Sequence, residues 1–173
     1  RKAFNGNLLA IGRMVPYKGF QFLVDAITNT NYKLTIIGDG PLKKELEEVS
    51  SANVIFEGKV SDERKKELLE QSDVLIVSSN SRAEAYGMII VEAFQCGLPV
   101  LAANINSGVT FLAKNNIRGK VFEIESKKAL LQSLQEIEDN PSLLGQFSLN
   151  CRKFYEEELS YEKFKSKIKN LDH

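Results

Sequence analysis

The sequence predicts an α/β fold in which helices cover both faces of a doubly wound, mostly parallel sheet. Six short apolar runs are continuous rather than alternating, which is typical of strands that are buried on both faces. Stretches with helical spacing separate these runs, and the loops are short, as in repeated βα units. The strands are predicted at residues 8–12, 34–38, 54–57, 74–78, 100–103 and 119–123.

Helical spacing separates the predicted strands and then continues alone to the end of the chain. Pro41 precedes a run containing Glu45, and Ser61 precedes the acidic pair Asp62 and Glu63, which are signals for helix starts. We predict helices at residues 19–28, 42–49, 62–71, 87–96 and 128–138, a short turn at 109–113, and a last helical region after Pro141. One domain is expected, with a βα core over 1–125 and C-terminal helices over 126–173. Because the first strand starts almost at once, we expect a piece of a longer protein.

Charge and composition limit the classes of function. The 173 residues include 23 basic and 23 acidic side chains, so the formal net charge is zero. General binding of nucleic acid usually needs excess positive charge and is not expected, so any anion site must be local. No apolar run reaches the roughly 18–20 residues that span a bilayer, and the N-terminus lacks the core of a signal peptide. We therefore expect a soluble, cytoplasmic protein.

The rare residue types exclude several kinds of active site. Cys96 and Cys151 form no CxxC pair, and His173 is the sole histidine. Most zinc sites, Cys-His dyads and Ser-His-Asp triads are therefore excluded, and we expect neither a metal nor a resident cofactor. The turn at residues 38–43 lacks the third glycine of a dinucleotide fingerprint, and the sequence contains no Walker A motif.

Two loops that follow strands contain glycines together with cations or tight turns. In open parallel sheets, ligands bind outside the carboxyl ends of the strands. The first loop, residues 12–19, carries Arg13 and Lys18 between Gly12 and Gly19, a pair that could converge on phosphate. A solvated loop with incidental charges is the alternative. The second loop, residues 38–41, is a tight Gly-Asp-Gly-Pro turn that lets the backbone come close to a neighbour, and it serves either for contact with a ligand or simply as a turn that leads into a helix.

The loop after the fourth predicted strand carries two carboxylates that are eight residues apart. Glu92 falls in a helix that is apolar on every side, so we expect that helix to be central and buried. A lone carboxylate there needs a donor, which could be a neighbouring hydroxyl or basic side chain, or a vicinal diol such as ribose. Glu84 would then lie near the group beyond the phosphates. Free amides at residues 86–89 would offer a helix N-terminus to an anion.

Taken in their order along the chain, these strands and loops resemble the C-terminal, donor-binding half of retaining glycosyltransferases in the family called glycosyl transferases group 1. The resemblance covers residues 8–122 and includes an E-x7-E motif from Glu84 to Glu92, followed by a Gly-Leu-Pro-Val segment at residues 97–100. It implies a GT-B architecture, in which two Rossmann-like domains face each other. This chain would be one half, and the N-terminal half that binds the acceptor would be absent.

The resemblance also implies roles for particular residues. Arg13 and Lys18 would neutralise the donor diphosphate, which is also the leaving group, and Glu84 would hold the donor sugar; these three are the predicted catalytic residues. Glu92 would bind the ribose hydroxyls. The remaining predicted contacts with the donor are Tyr86, Gly87 and Met88 at the phosphates and Gly58, Lys59 and Val60 at the base.

We thus predict the donor domain of a metal-independent, retaining glycosyltransferase that uses a UDP-, GDP- or ADP-linked sugar. The acceptor would be a glycan or a lipid-linked molecule bound mainly by the missing half, with peripheral contact at the inner face of the membrane allowed for the intact enzyme. Two alternatives stay open. One is a GT-B relative with other nucleotide-sugar chemistry, such as a 2-epimerase, although the shortage of histidine disfavours its acid–base steps. The other is a non-catalytic nucleotide-binding module.

Overall fold

A computed structural model describes residues 3–82, 87–160 and 163. Its centre is a six-stranded sheet in which every paired strand is parallel to its neighbours. The strand order is β3-β2-β1-β4-β5-β6, which confirms the predicted doubly wound sheet and is the order of the Rossmann fold. The strands are β1 Asn7–Ile11, β2 Lys33–Ile37, β3 Val54–Gly58, β4 Val74–Val77, β5 Val100–Ala103 and β6 Gly119–Phe122.

Helices connect the strands and then close the described chain, as predicted. Because parallel crossovers are right-handed, the reversal of strand order places α1 and α2 on one face of the sheet and α4 and α5 on the other. A 3-10 turn at Pro16–Lys18 precedes the first helix, and a π-helical turn at Tyr155–Leu159 follows the last. The helices are α1 Phe20–Ile27, α2 Lys43–Val49, α3 Asp62–Gln71, α4 Met88–Gln95, α5 Gly108–Ala113, α6 Lys127–Asp139 and α7 Pro141–Phe154.

Burial follows the position of each strand in the sheet. The central strands β1, β4 and β5 are almost wholly buried, as their continuous apolar runs predict. The expectation of burial on both faces is wrong for the edge strands β3 and β6, because helices cover the margins of a sheet less completely than its centre. On β3, Ile55 is 50% exposed.

Among the described residues, no helix is both long and apolar enough to cross a membrane.

The buried carboxylate of Asp73 fixes the start of β1. One of its oxygens, Oδ2, accepts hydrogen bonds from the backbone N–H groups of Asn5 and Asn7, both at 2.9 Å. The N–H of Asp73 in turn donates to the carbonyl of Asn7 at 2.8 Å. Hydrogen bonds from N–H groups satisfy a carboxylate that would otherwise be costly to bury. Asp73 thereby ties the first strand to β4 on the far side of the switch in strand order.

A buried arginine joins α5 to the C-terminal helices. Arg118 is 5% exposed. Its guanidinium donates from Nε to the carbonyl of Leu112 at 2.7 Å and from an Nη to that of Phe111 at 3.1 Å. These carbonyls belong to the last turn of α5, where helices leave acceptors unpaired. The same guanidinium lies 3.8 Å from the ring centre of Phe154 on α7. Burial lowers the pKa of Arg118 from its ordinary value.

Replacing Arg118 with leucine is expected to lower the free energy of unfolding by about 3 kcal/mol, because two carbonyls lose their donor and the stacking on Phe154 is lost. Urea unfolding followed by circular dichroism measures this loss. Arg152→Leu is the matched control, because Arg152 is exposed and donates only weakly to the carbonyl of Cys96, at 3.5 Å. Equal losses in the two variants would contradict a capping role for Arg118.

Candidate functional site

The candidate site lies at the carboxyl edge of the sheet, where the strand order reverses between β1 and β4. Loops diverge at such a switch point, and the crevice between them is the usual ligand site in this class of sheet. Here the loop after β1 runs in one direction to α1, and the loop after β4 runs in the other direction to α4. Both loops carry residues that the sequence singled out.

Close backbone packing holds the loop after β1 against the loop after β4. Gly19 has φ +70° and lies so near Ser78 that an added Cβ would overlap the Ser78 carbonyl oxygen. The Ser78 hydroxyl donates to the carbonyl of Lys18 at 2.9 Å, and the N–H of Asn80 donates to the carbonyl of Tyr17 at 2.9 Å. The backbone beside Lys18 is therefore fixed relative to the end of β4.

The loop after β2 also packs closely against the loop after β1. An added Cβ on Gly38 would overlap the carbonyl oxygen of Gly12, so glycine is required for this approach. The N–H of Met14 donates to the carbonyl of Asp39 at 2.9 Å. The close approach that the Gly-Asp-Gly-Pro turn allows is confirmed, and the neighbour is the loop that carries the two cations.

Beside these closely packed loops lies an open cleft with a volume of about 680 Å³. Arg13 is exposed on its wall and forms no ion pair with another described residue. Lys59, just after β3, is exposed and lines the same cleft. The Asp39 carboxylate accepts a hydrogen bond from the N–H of Gly40 at 2.8 Å. The lining residues are Gly12, Arg13, Gly38, Asp39, Gly40, Pro41 and Lys59.

Lys18 lies beside Gly12, near the switch point. Its side chain lies over that glycine, where an added Cβ would come within 3.6 Å of the lysine Cε. Lys18 also lines a small cavity of about 20 Å³ at the ends of β1 and β4, together with Ser79 and Ile89. Ile89 belongs to the first turn of α4, so the structure brings Lys18 close to the N-terminus of that helix.

The N-terminus of α4 borders this region through Ile89. Gly87 is the N-cap residue, with φ 26° and ψ 78°, and as a glycine it has no side chain with which to cap the helix. Met88 is 69% exposed. The first amides of a helix have no intrahelical partner and favour anions. The predicted contacts Glu84 and Tyr86 fall in residues 83–86, which lie outside the described residues.

Glu92 is less buried than the sequence predicts. Its side chain is 38% exposed, and Met88 and Gln95 on the same helix are exposed as well, so the expectation of a helix buried on every side is wrong. The physical reason is that α4 packs on the sheet and α7 while another face borders a groove next to α3. In that groove Glu92 Oε2 lies 2.7 Å from Nζ of Lys65. A basic neighbour was one of the two expected partners for this carboxylate.

The loop after β3 completes the edge. Gly58 has φ +68° and accepts a hydrogen bond from the N–H of Gly38 at 2.8 Å, whereas Val60 is partly buried against the core. Among the residues that the structure describes, no group of three or more histidine, cysteine, aspartate or glutamate side chains could hold a metal ion. In the described part of the edge, cations and backbone amides are the groups suited to an anion.

Comparison with known proteins identifies the class. The chain belongs to the family of enzymes described as glycosyl transferases group 1, which matches residues 6–154, so the predicted membership is confirmed. It is similar to O-antigen chain mannosyltransferase C of Escherichia coli, with 28% identity over 86% of this chain and 41% of that protein. It is also similar to D-rhamnosyltransferase WbpZ of Pseudomonas aeruginosa, with 31% identity over 85% of this chain and 40% of that protein. The chain thus spans about two fifths of these relatives.

Solved structures share the fold. The structure of Anabaena Alr3699/HepE in complex with UDP matches 96% of this chain and 48% of its own, with a TM-score of 0.83 and 21% identity. That of TarM matches 98% of this chain and 35% of its own, with a TM-score of 0.81 and 23% identity. At these identities the likeness shows the fold alone, and it agrees with the predicted Rossmann-like half of a GT-B protein.

Proposed function

We propose that this chain is the part of a retaining, metal-independent glycosyltransferase that binds the donor nucleotide-diphospho-sugar. One observation carries the proposal: at the switch-point edge of the sheet, Arg13 lines the open cleft, while Lys18 lies over the adjacent Gly12 and shares a second, small cavity with the first turn of α4. Two cations and a helix N-terminus along one edge of the sheet suit a diphosphate.

These groups would act on the leaving group. When the bond between the anomeric carbon of the sugar and the diphosphate oxygen breaks, negative charge accumulates on the nucleoside diphosphate. Cations and amides already in place stabilise that charge more strongly in the transition state than in the bound donor. Arg13 would supply a planar fork and Lys18 a point charge, while the amides at Gly87 and Met88 assist. This arrangement supports a reaction without a metal ion.

The remaining contacts follow the length of the donor. Glu92, one turn further along α4, would accept hydrogen bonds from the ribose hydroxyls. The backbone at Gly58, Lys59 and Val60 would border the base, and Lys59 is a second basic residue among those that line the cleft. Glu84 and Tyr86 keep their proposed places at the sugar and the phosphates.

The activities for which the relatives are named support a hexosyl donor. Two are a mannosyltransferase and a rhamnosyltransferase, and one solved neighbour is a complex with UDP-glucose. We propose transfer to a glycan or lipid-linked acceptor, held mainly by a second domain of the intact enzyme, which leaves room for peripheral contact at the inner face of a membrane. The donor is a sugar linked to UDP, GDP or ADP.

Calorimetric titration with UDP, GDP and ADP tests the donor site directly. We expect one of them to bind saturably to this chain, and we expect the same affinity with magnesium and with EDTA, because protein cations replace the metal. The corresponding nucleoside monophosphate should bind at least about tenfold more weakly, because it lacks one phosphate that accepts charge-assisted hydrogen bonds. Equal affinity for the mono- and diphosphate would argue against a diphosphate site.

A further inference from the structure

An ion pair between two helices holds the Glu92 carboxylate. Lys65 on α3 places its Nζ 2.7 Å from Oε2 of Glu92 and 3.3 Å from Oδ1 of Asp62. The Lys65 side chain is 26% exposed and the Glu92 side chain is 38% exposed, so the pair is partly shielded from water. Asp62 is the first residue of α3, which places the ammonium group at the start of that helix.

The pair lies within the first two turns of α3 and α4. Helices that follow parallel strands begin at the carboxyl edge, and helical side chains lean towards the N-terminus of their own helix. Lys65 leans in this way, because its Nζ lies 3.3 Å from Asp62 at the start of α3, and there it meets Glu92 of α4. The groove between these helices has a volume of about 570 Å³ and is lined by both residues.

The geometry points to Lys65 as a positioning residue: by binding Oε2 of Glu92, it fixes the carboxylate so that Oε1 accepts hydrogen bonds from the ribose diol of the nucleotide. This inference rests on the proposed function of the site. A carboxylate that is held on one oxygen has lost rotational freedom before the ligand arrives, so less entropy is lost on binding.

The protonation of Lys65 agrees with this role. The hydrogen bond to Glu92, with smaller contributions from Asp62, raises the pKa of Lys65 from its ordinary value, so the ammonium keeps its charge at neutral pH. The neighbouring lysine differs: Lys66 is 71% exposed and lies 3.9 Å from Glu70 one turn away. Lys66 thus offers a matched control for the loss of a lysine charge from α3.

The test compares a nucleoside diphosphate with its 2′,3′-dideoxy form, which lacks both ribose hydroxyls. The diphosphate is whichever of UDP, GDP and ADP wild type binds most tightly, and calorimetry gives the affinity ratio. We expect Lys65→Met to weaken binding of the ribose form about five- to tenfold and to leave the dideoxy form nearly unchanged. Lys65→Arg should recover most of the ratio, and Lys66→Met should keep the wild-type ratio.

The outcomes separate the inference from the proposed function. If wild type binds no nucleoside diphosphate, the donor site itself is wrong. If wild type prefers the ribose form and Lys65→Met keeps that preference, the donor site stands and the role of Lys65 is overturned. Tighter binding by Lys65→Met would also overturn it, because Lys65 would then compete with ribose for Glu92. Lys65→Gln repeats the test if Lys65→Met unfolds at a lower urea concentration than wild type.

Discussion

Replacing Arg13 with alanine is expected to weaken binding of a nucleoside diphosphate about 10- to 100-fold, the usual range for losing a hydrogen bond to a charged group. The guanidinium is exposed on the wall of the cleft and forms no ion pair with another described residue, so its removal leaves the fold intact. Arg13→Lys should lose less, because the charge stays while the planar fork is lost. Calorimetry measures the affinities.

Lys44→Ala is the control for a general charge effect. Its side chain is 89% exposed on α2 and lies 3.9 Å from Glu48, outside the residues that line the cleft. We expect less than about a twofold change in affinity, because exposed charges at a distance are screened by salt. A loss in Lys44→Ala as large as that in Arg13→Ala would mean that net charge, and not a local site, attracts the nucleotide.

Replacing Gly19 with alanine is expected to lower the free energy of unfolding by about 3–5 kcal/mol, the largest stability effect of any substitution considered for this edge. Two causes combine: φ is +70°, and the new Cβ would overlap the carbonyl oxygen of Ser78. The loops after β1 and β4 would have to separate, which would also displace Lys18. Urea unfolding measures the loss of stability.

Gly58 provides a matched control because its backbone is almost the same while its surroundings differ. Its φ is +68°, and an added Cβ would meet only Nζ of Lys43, at 3.6 Å. Gly58→Ala therefore isolates the backbone strain, which costs about 1–2 kcal/mol. If Gly19→Ala lowered the free energy of unfolding no more than Gly58→Ala does, the close contact between Gly19 and Ser78 would contribute nothing to stability beyond the backbone strain at Gly19.

Local sequence patterns were sufficient to predict the elements of the fold. The continuous apolar run at residues 100–103 coincides with β5, and Ser61 caps α3 by accepting from the N–H of Arg64, as the start signal indicates. These patterns work because helix capping and the short apolar run of a strand involve residues that are close together in the sequence. The 3-10 turn at Pro16–Lys18 was not predicted, since a single turn leaves no periodic signal.

Features that depend on how the helices cross the sheet could not be predicted. The α4 segment is apolar all round, so periodicity could not tell which side stays exposed, and the sequence wrongly predicts full burial of Glu92. Its partner Lys65 is 27 positions earlier, and the two meet because α3 crosses back from the edge strand β3 to β4. Opposite charges in the second turns of successive helices are the sole sequence signal, and that signal is common.

Only part of the candidate site could be predicted, because some of its contacts also depend on how the elements are arranged in the fold. Motif positions after β1 and β3 placed Arg13 and Lys59 at the carboxyl edge, and the structure brings both onto one cleft. The contact between Gly19 and Ser78 required knowledge that β1 and β4 are neighbours, which the order of elements along the chain does not state. Spacing within a loop is readable from sequence, whereas contact between loops depends on strand order.

Heteronuclear NMR of this chain, titrated with UDP, GDP and ADP, tests the central claim most directly because it locates the ligand on the fold. The account predicts saturable shifts with one of these nucleotides, concentrated in the amides of residues 12–19 and 58–60 and at the start of α4 around Gly87 and Met88. Shifts confined to α6 and α7, or no saturable shifts with any nucleotide at millimolar concentration, would contradict a donor site at the switch point.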